Sequence, residues 1–233
     1  MKKKPNVVAI IPARGGSTGI PRKNLKDFGG KPLVAHTIQQ ALSANTITNV
    51  FVNSEDSEIR EVAVQHGAQV MDRPEKFHHD NTFQEVDRLL IWSVNYLEEK
   101  MGPIDIVVLL YPTAPLRKVR HIDECVSKIR DEGYDSALTV YEDSRYLWEK
   151  IDEEIRPTNY IPAERGPRQK EYWNQWAENK AVYSMTRNLL MDTGCRLGGK
   201  IGAVEMDEME SIDIDKPSDL ELARSIYNLT SEK

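Results

Sequence analysis

Short apolar runs alternate with segments of helical spacing over the first two thirds of the chain. Val7 to Ile11 is unbroken apolar sequence with no polar alternation, the pattern of a strand buried on both faces, so residues 6–11 are assigned to a strand. Residues 32–44 place Leu33, Ala35, Ile38, Ala41 and Leu42 at helical spacing behind Pro32. A strand over Asn49 to Asn53 and a helix over Asp56 to His66 follow, the helix stopped by Gly67. Gln69 to Met71 reads as a strand, and Thr82 to Lys100 as a longer helix carrying Val86, Leu89, Leu90, Val94 and Leu97. Ile104 to Leu110 is the strongest buried strand. Val119 to Glu132 reads as a helix, and Ser136 to Val140 as a strand. Repeated strand–helix units predict a doubly wound α/β fold, a mostly parallel sheet covered on both faces.

The rhythm breaks at about Tyr141. Residues 141–180 hold three of the four tryptophans, Trp148, Trp173 and Trp176, among Tyr, Arg, Glu and Pro. This stretch reads as an inserted lobe within a single domain of residues 1–233. Its aromatics suit an interface, and an irregular loop packed on its own domain is the alternative. The sheet pattern resumes over Lys180–Met185 and Ile201–Met206, and a helix over Ser218 to Tyr227 follows.

Composition narrows the classes. The 233 residues are 39% hydrophobic and 29% charged, with a net charge of −6, so affinity for nucleic acid or an acidic membrane surface is not expected. The basic Met1 to Lys4 is followed by no apolar signal core, and no run is long enough for a membrane helix. Cys125 and Cys195 form no CxxC. A cytoplasmic protein with reduced thiols is expected.

The chemistry clusters where strands should end. Behind the first strand comes Pro12-Ala13-Arg14-Gly15-Gly16-Ser17-Thr18-Gly19-Ile20-Pro21-Arg22-Lys23-Asn24. Glycines let backbone N–H groups approach an anion and the cations balance its charge, as a polyphosphate site requires. The loop behind Leu110 carries Tyr111-Pro112-Thr113-Ala114-Pro115-Leu116-Arg117, stiffened by two prolines; Arg117 is either a ligand contact or an exposed arginine on a rigid turn. In Ser211-Ile212-Asp213-Ile214-Asp215-Lys216-Pro217, an extended backbone would put Asp213 and Asp215 on one face and Ile212 and Ile214 toward the core. Such a pair suits Mg²⁺, with a solvated strand edge as the alternative. His78, His79 and Asp80 read as a solvated loop rather than a transition-metal site.

In this order the segments resemble the acylneuraminate cytidylyltransferases, a family that includes the enzymes for pseudaminic and legionaminic acids. The family's opening reads IPARGGSKG-(I/L)-P-x-K-N, matched by Ile11 to Asn24. Arg73-Pro74-Glu75 resembles its RPxE, Pro112 to Arg117 its PTSPLR, and Arg165 with Arg168-Gln169 its RxRRQ. Glu178-Asn179, Gly198-Gly199-Lys200 and Asp213-Ile214-Asp215 resemble its ENG, GGK and DID.

The resemblance implies a Rossmann-like sheet and a homodimer with a protruding dimerisation lobe. It implies attack by the anomeric hydroxyl of an acidic nine-carbon keto sugar on the α-phosphorus of CTP. Arg14, Gly15, Gly16, Ser17, Lys23, Asn24, Arg73 and Asp80 would bind CTP. Tyr111, Thr113, Arg117, Arg165, Arg168 and Gln169 would bind the sugar, and Asp213 and Asp215 would hold Mg²⁺, or Mn²⁺ in its place. Arg14, Asp213 and Asp215 would be the catalytic set. An eight-carbon or other acidic sugar, or a nucleotide-binding regulatory module without catalysis, are the competing expectations. Three positions depart from the family pattern: Thr18 stands for a lysine, with Arg22 as a candidate replacement cation; Tyr111 stands for a glutamine, in a Tyr-x-Thr-Ala-Pro context that looks like the pseudaminic acid enzymes; and Lys180 stands for a glycine.

Overall fold

The computed structural model describes residues 4–78, 84–166 and 174–231. In chain order its strands are β1 (Val7–Pro12), the short pair β2 (Asp27–Phe28) and β3 (Lys31–Pro32), β4 (Asn49–Ser54), β5 (Gln69–Asp72), β6 (Ile106–Leu110), β7 (Ser136–Glu142), the hairpin β8 (Trp148–Ile151) and β9 (Glu154–Pro157), β10 (Trp176–Thr186) and β11 (Ile201–Glu205). The helices are α1 (Leu33–Ser43), α2 (Ser57–Gln65), α3 (Glu85–Met101), α4 (Val119–Arg130), α5 (Arg187–Thr193) and α6 (Pro217–Ser231). Helix ends follow local chemistry. The Asp56 side chain accepts from Ile59 N at the start of α2, and that of Thr186 from Leu189 N at the start of α5.

Seven strands form one sheet in the order β11-β7-β10-β6-β1-β4-β5. All neighbours are parallel except β10, which runs antiparallel to both β6 and β7. The unbroken apolar sequence of β1 is explained by its central place. Val7, Ala9 and Ile11 point to one face, where they meet Val34 and Ile38 of α1, Ile59 of α2 and Ile122 of α4. Val8 and Ile10 point to the other, against Leu90, Val94 and Leu97 of α3 and Leu190 of α5. With both faces dry, truncating Ile10 to alanine removes a side chain worth about 2–5 kcal/mol. A third cluster joins Phe28 and Leu33 to Ile214, Leu220 and Ala223, and so fastens α6 and the chain before it to the β1 side.

Three expectations change in detail. The stretch 141–180 is not wholly outside the sheet: β7 runs on to Glu142 and β10 begins at Trp176, with Trp176 opposite Glu142. Asp213 to Asp215 is not a strand. It belongs to no regular element and is pinned by Ile214 N donating to Thr113 O at 2.8 Å. Helix α5 is an element the sequence pattern did not assign, because seven residues give too little periodicity.

Candidate functional site

The chain leaves β1, fills β4 and β5 on one side, and returns to β6 on the other. The crevice between the carboxyl ends of β1 and β6 is therefore a topological switch point, where open α/β sheets bind ligands. A cavity of about 510 Å³ lies there, lined by the loops behind both strands, the start of α3, the early part of β10 and the 213–215 segment.

The glycine-rich loop reaches this cavity through Arg14, Ser17, Thr18 and Gly19, with Lys23 and Asn24 behind them. Close approach explains one glycine. A Cβ on Gly19 would lie 2.2 Å from the Asp215 carbonyl oxygen, so the loop and the aspartate segment touch through bare backbone. Lys23 ties the same two segments together: its Nζ donates to Ile214 O at 2.5 Å and lies 3.3 Å from Asp215 Oδ1, across 191 residues of sequence to that carbonyl. Buried Asn24 donates to Arg14 O at 2.9 Å and so shapes the loop around its arginine. The Arg14 guanidinium sits 3.7 Å from Glu85 at the start of α3. Arg73 is almost fully buried at the end of β5, its Nε donating to Asn53 Oδ1 at 3.0 Å, and burial holds it below the ordinary arginine value. His78 donates from Nε2 to the Arg73 carbonyl at 2.8 Å, which makes it a loop anchor.

Several predicted contacts are absent from the cavity wall. Gly15 donates its N–H to Glu55 Oε1 at 2.7 Å, so that donor faces a carboxylate of the chain itself, and neither Gly15 nor Gly16 lines the cavity. Arg22 does not replace the missing cation at Thr18. Its guanidinium is bound to Asp56 at 2.9 Å and Glu58 at 2.7 Å, and it clamps the loop to α2. Arg117 is the largest correction. It is fully buried, donates to Gln40 Oε1 at 3.0 Å, Tyr111 O at 3.0 Å, Ala181 O at 2.5 Å and the Thr37 hydroxyl, and does not line the cavity. Burial pushes it down to about 9, and it still carries its charge at neutral pH. Arg165 lies in the lobe with its guanidinium 4.5 Å from the centre of the Tyr146 ring, away from the cavity. Asp80, Arg168 and Gln169 lie outside the described residues.

The far wall is built by Tyr111, Thr113, Glu178, Tyr183 and Arg196. The rings of Tyr111 and Tyr183 meet edge to face at 6.2 Å. Burial pushes the Tyr111 phenol up to about 12, so it stays a hydrogen-bond donor throughout the neutral range. Arg196, Tyr183 and Glu85 belong to no motif quoted above, and Glu178 enters one only beside Asn179. Arg196 stacks 5.1 Å over Tyr183 and pairs with Asp87 at 3.0 Å, contacts that no local motif announces.

Asp213, Asp215 and Lys180 close the cavity. Asn179 and Lys180 sit in a bulge where the register of β10 on β7 shifts between Glu178 and Tyr183. Lys180 has φ +58°, the left-handed conformation that a bulge normally gives to glycine. Buried Asn179 holds the bulge, accepting at Oδ1 from Thr139 Oγ1 (2.6 Å) and Ala181 N (3.2 Å) and donating to Ser211 Oγ at 3.0 Å. The Lys180 ammonium lies 2.8 Å from Asp213 Oδ2 and 3.8 Å from Asp215 Oδ2. The hydrogen bond to Asp213 holds it above the usual lysine value. The two carboxylates thus share a cation, as a common face would allow.

These features define an α/β protein of Rossmann-like fold whose charged cavity brings a glycine-rich loop against a pair of aspartates. A match to the Cytidylyltransferase family spans residues 8–231, and the chain belongs to that family. It is 31% identical over 226 residues to N-acylneuraminate cytidylyltransferase A of Danio rerio, covering 95% of this chain and 51% of that protein. It is 29% identical over 235 residues to CMP-N,N'-diacetyllegionaminic acid synthase of Legionella pneumophila, covering 97% of this chain and 98% of that one. The chain spans about half the length of most of the curated relatives it matches. In fold it is similar to a solved CMP:2-keto-3-deoxy-manno-octonic acid synthetase complexed with CTP, with a TM-score of 0.70 at 18% identity over 97% of this chain and 99% of that one. A 4-diphosphocytidyl-2C-methyl-D-erythritol synthase gives a TM-score of 0.72 at 13% identity over 97% of this chain and 100% of that one. Among the described residues no helix is long and apolar enough to cross a membrane.

Proposed function

We propose that this chain transfers CMP from CTP to the anomeric hydroxyl of an acidic nine-carbon keto sugar and releases pyrophosphate. The observation that carries the reading is the meeting of the glycine-rich loop with Asp213 and Asp215 in one cavity at the switch point, through Lys23 and Gly19. The family match and the names of the relatives, which concern sialic and legionaminic acids, supply the nucleotide and the sugar class.

The hydroxyl oxygen attacks the α-phosphorus, the new O–P bond forms, and the bond to the β-phosphate oxygen breaks. Such transfers rest on positioning and on stabilising spread negative charge. Arg14 and the Ser17 to Gly19 segment, which line the cavity, face the departing pyrophosphate in this reading, and Lys23 keeps the loop on the aspartates. On the far wall, Tyr111 donates to a sugar oxygen, and Tyr183 and Arg196 frame the same side. Asp213 and Asp215 are the carboxylates at hand for the proton of the attacking hydroxyl.

The residues fit a hard divalent cation. Asp213 and Asp215 offer carboxylate oxygens, and Asp213 Oδ1 is buried with no hydrogen-bond partner among the described residues. Among the described residues no group of three or more His, Cys, Asp and Glu could hold a metal, so phosphate oxygens and water would complete the shell. Bound there, Mg²⁺ would neutralise phosphate charge and polarise the attacking hydroxyl.

The test is pyrophosphate release with each of CTP, ATP, GTP and UTP against a panel of eight- and nine-carbon sugar acids. Release is expected with CTP and a nine-carbon acid. Release only with an eight-carbon acid moves the substrate, and none with any acid leaves a binding module. The lobe hairpin exposes Trp148, Ile151 and Ile155, which supports its use in a homodimer. The double change Trp148→Asp and Ile155→Asp should give a monomer by sedimentation; an unchanged dimer mass would place the interface elsewhere.

A further inference from the structure

The glycine position in the β10 bulge is filled by a lysine that adopts the strained conformation and delivers its ammonium to both aspartates. A left-handed backbone at a residue other than glycine costs roughly 1 kcal/mol, so the lysine persists against a local penalty. Two lysines touch this pair, and they differ. Lys23 is held by a backbone carbonyl as well as by Asp215, and its side chain is 12% exposed. Lys180 is held by the carboxylates alone among the described contacts, and its side chain is 53% exposed. Lys23 is a fixed fastening of the loop. Lys180 is the cation that can leave.

We propose that Lys180 is the resident cation of the carboxylate pair: its ammonium holds Asp213 and Asp215 together in the free protein and has to be drawn off them for a divalent cation to bind, so it sets how tightly this chain holds metal. The inference rests on the reading of the two aspartates as cation ligands. It follows from competition for the same oxygens. A cation already 2.8 Å from Asp213 Oδ2 must be removed or shifted before that oxygen can join another cation's shell. The same cavity holds Thr18 where the family pattern has a lysine, so Lys180 also has a destination. A triphosphate in the cavity offers the ammonium an anion to move to, and metal and nucleotide then enter as linked events.

Metal alone is the probe, which separates this inference from the transfer reaction. Mn²⁺ is titrated into the full chain without nucleotide, and the free ion is followed by electron paramagnetic resonance. Lys180→Gly removes the charge and relaxes the backbone, whereas Lys180→Met keeps the backbone and the stem and removes only the charge. The apparent Kd for Mn²⁺ should fall by about tenfold or more in both variants, and Lys180→Arg should stay within about threefold of wild type. Unchanged affinity in both neutral variants, tighter binding in Lys180→Gly alone, or no Mn²⁺ binding by any of the proteins would overturn the proposal. Glycine is the residue that this φ favours, so Lys180→Gly is expected to fold, which a cooperative thermal transition checks.

Discussion

The loops behind β1 and β6 leave the sheet side by side, at the same end, and each carries an arginine in a recognisable motif. Their fates are opposite. Arg14, in the first loop, faces the cavity with one acidic neighbour at 3.7 Å. Arg117, in the second, turns inward and is wholly enclosed by carbonyls, an amide and a hydroxyl from α1, β10 and its own loop. In the proposed function the first loop admits the nucleotide, so its cation has to stay reachable. The second must stay still, because it carries Tyr111 and Thr113 to the cavity wall, and Arg117 is the rivet that stills it. A motif arginine near a ligand site can therefore serve by holding the wall rather than by touching the ligand.

Substitutions at the two positions should separate these roles. Arg14→Ala should lower kcat/KM for pyrophosphate release by about 10²–10³-fold while the unfolding free energy moves by less than about 0.5 kcal/mol, since the residue is reachable and weakly paired. Arg117→Met should do the reverse, costing about 3 kcal/mol in urea unfolding because it leaves buried acceptors without donors. An Arg117→Met protein with wild-type stability and lost turnover would return this arginine to the ligand site.

A smaller effect concerns the support beneath both loops. Burial holds His36, under β2 and β3, and His121, on α4, down to about 4. Each stays neutral in the folded chain while the unfolded chain takes up a proton below about 6.5. Stability should therefore be flat above that pH and fall between about 6.5 and 4, with a slope of at most about 1.4 kcal/mol per pH unit for each histidine. His36→Gln should reduce the slope in that window, and an unaltered slope would place the titration elsewhere.

The sheet was readable because two-sided burial leaves unbroken apolar runs, and Val7–Ile11 and Ile106–Leu110 could be little else. The glycine-rich loop and the aspartates were readable as separate pieces. Their contact was not, because Lys23 and Asp215 meet only through the tertiary fold. Arg117 was misjudged as a ligand contact because sequence does not distinguish an arginine pointing out from one buried among carbonyls. Gly15 reads as an anion donor because the carboxylate that takes its N–H, Glu55, lies 40 residues away, just beyond β4. Lys180 was visible as a departure from the family pattern, but its position between two carboxylates needed the bulge that turns it there.

The proposed reaction joins CMP to a sugar acid in one cavity. Phosphorus-31 NMR of the protein with CTP, Mg²⁺ and a nine-carbon keto sugar acid tests it most directly. A new phosphodiester resonance should grow in equal proportion with pyrophosphate. Pyrophosphate with no phosphodiester, or no change in the CTP resonances across the panel of acids with folded protein, would contradict it.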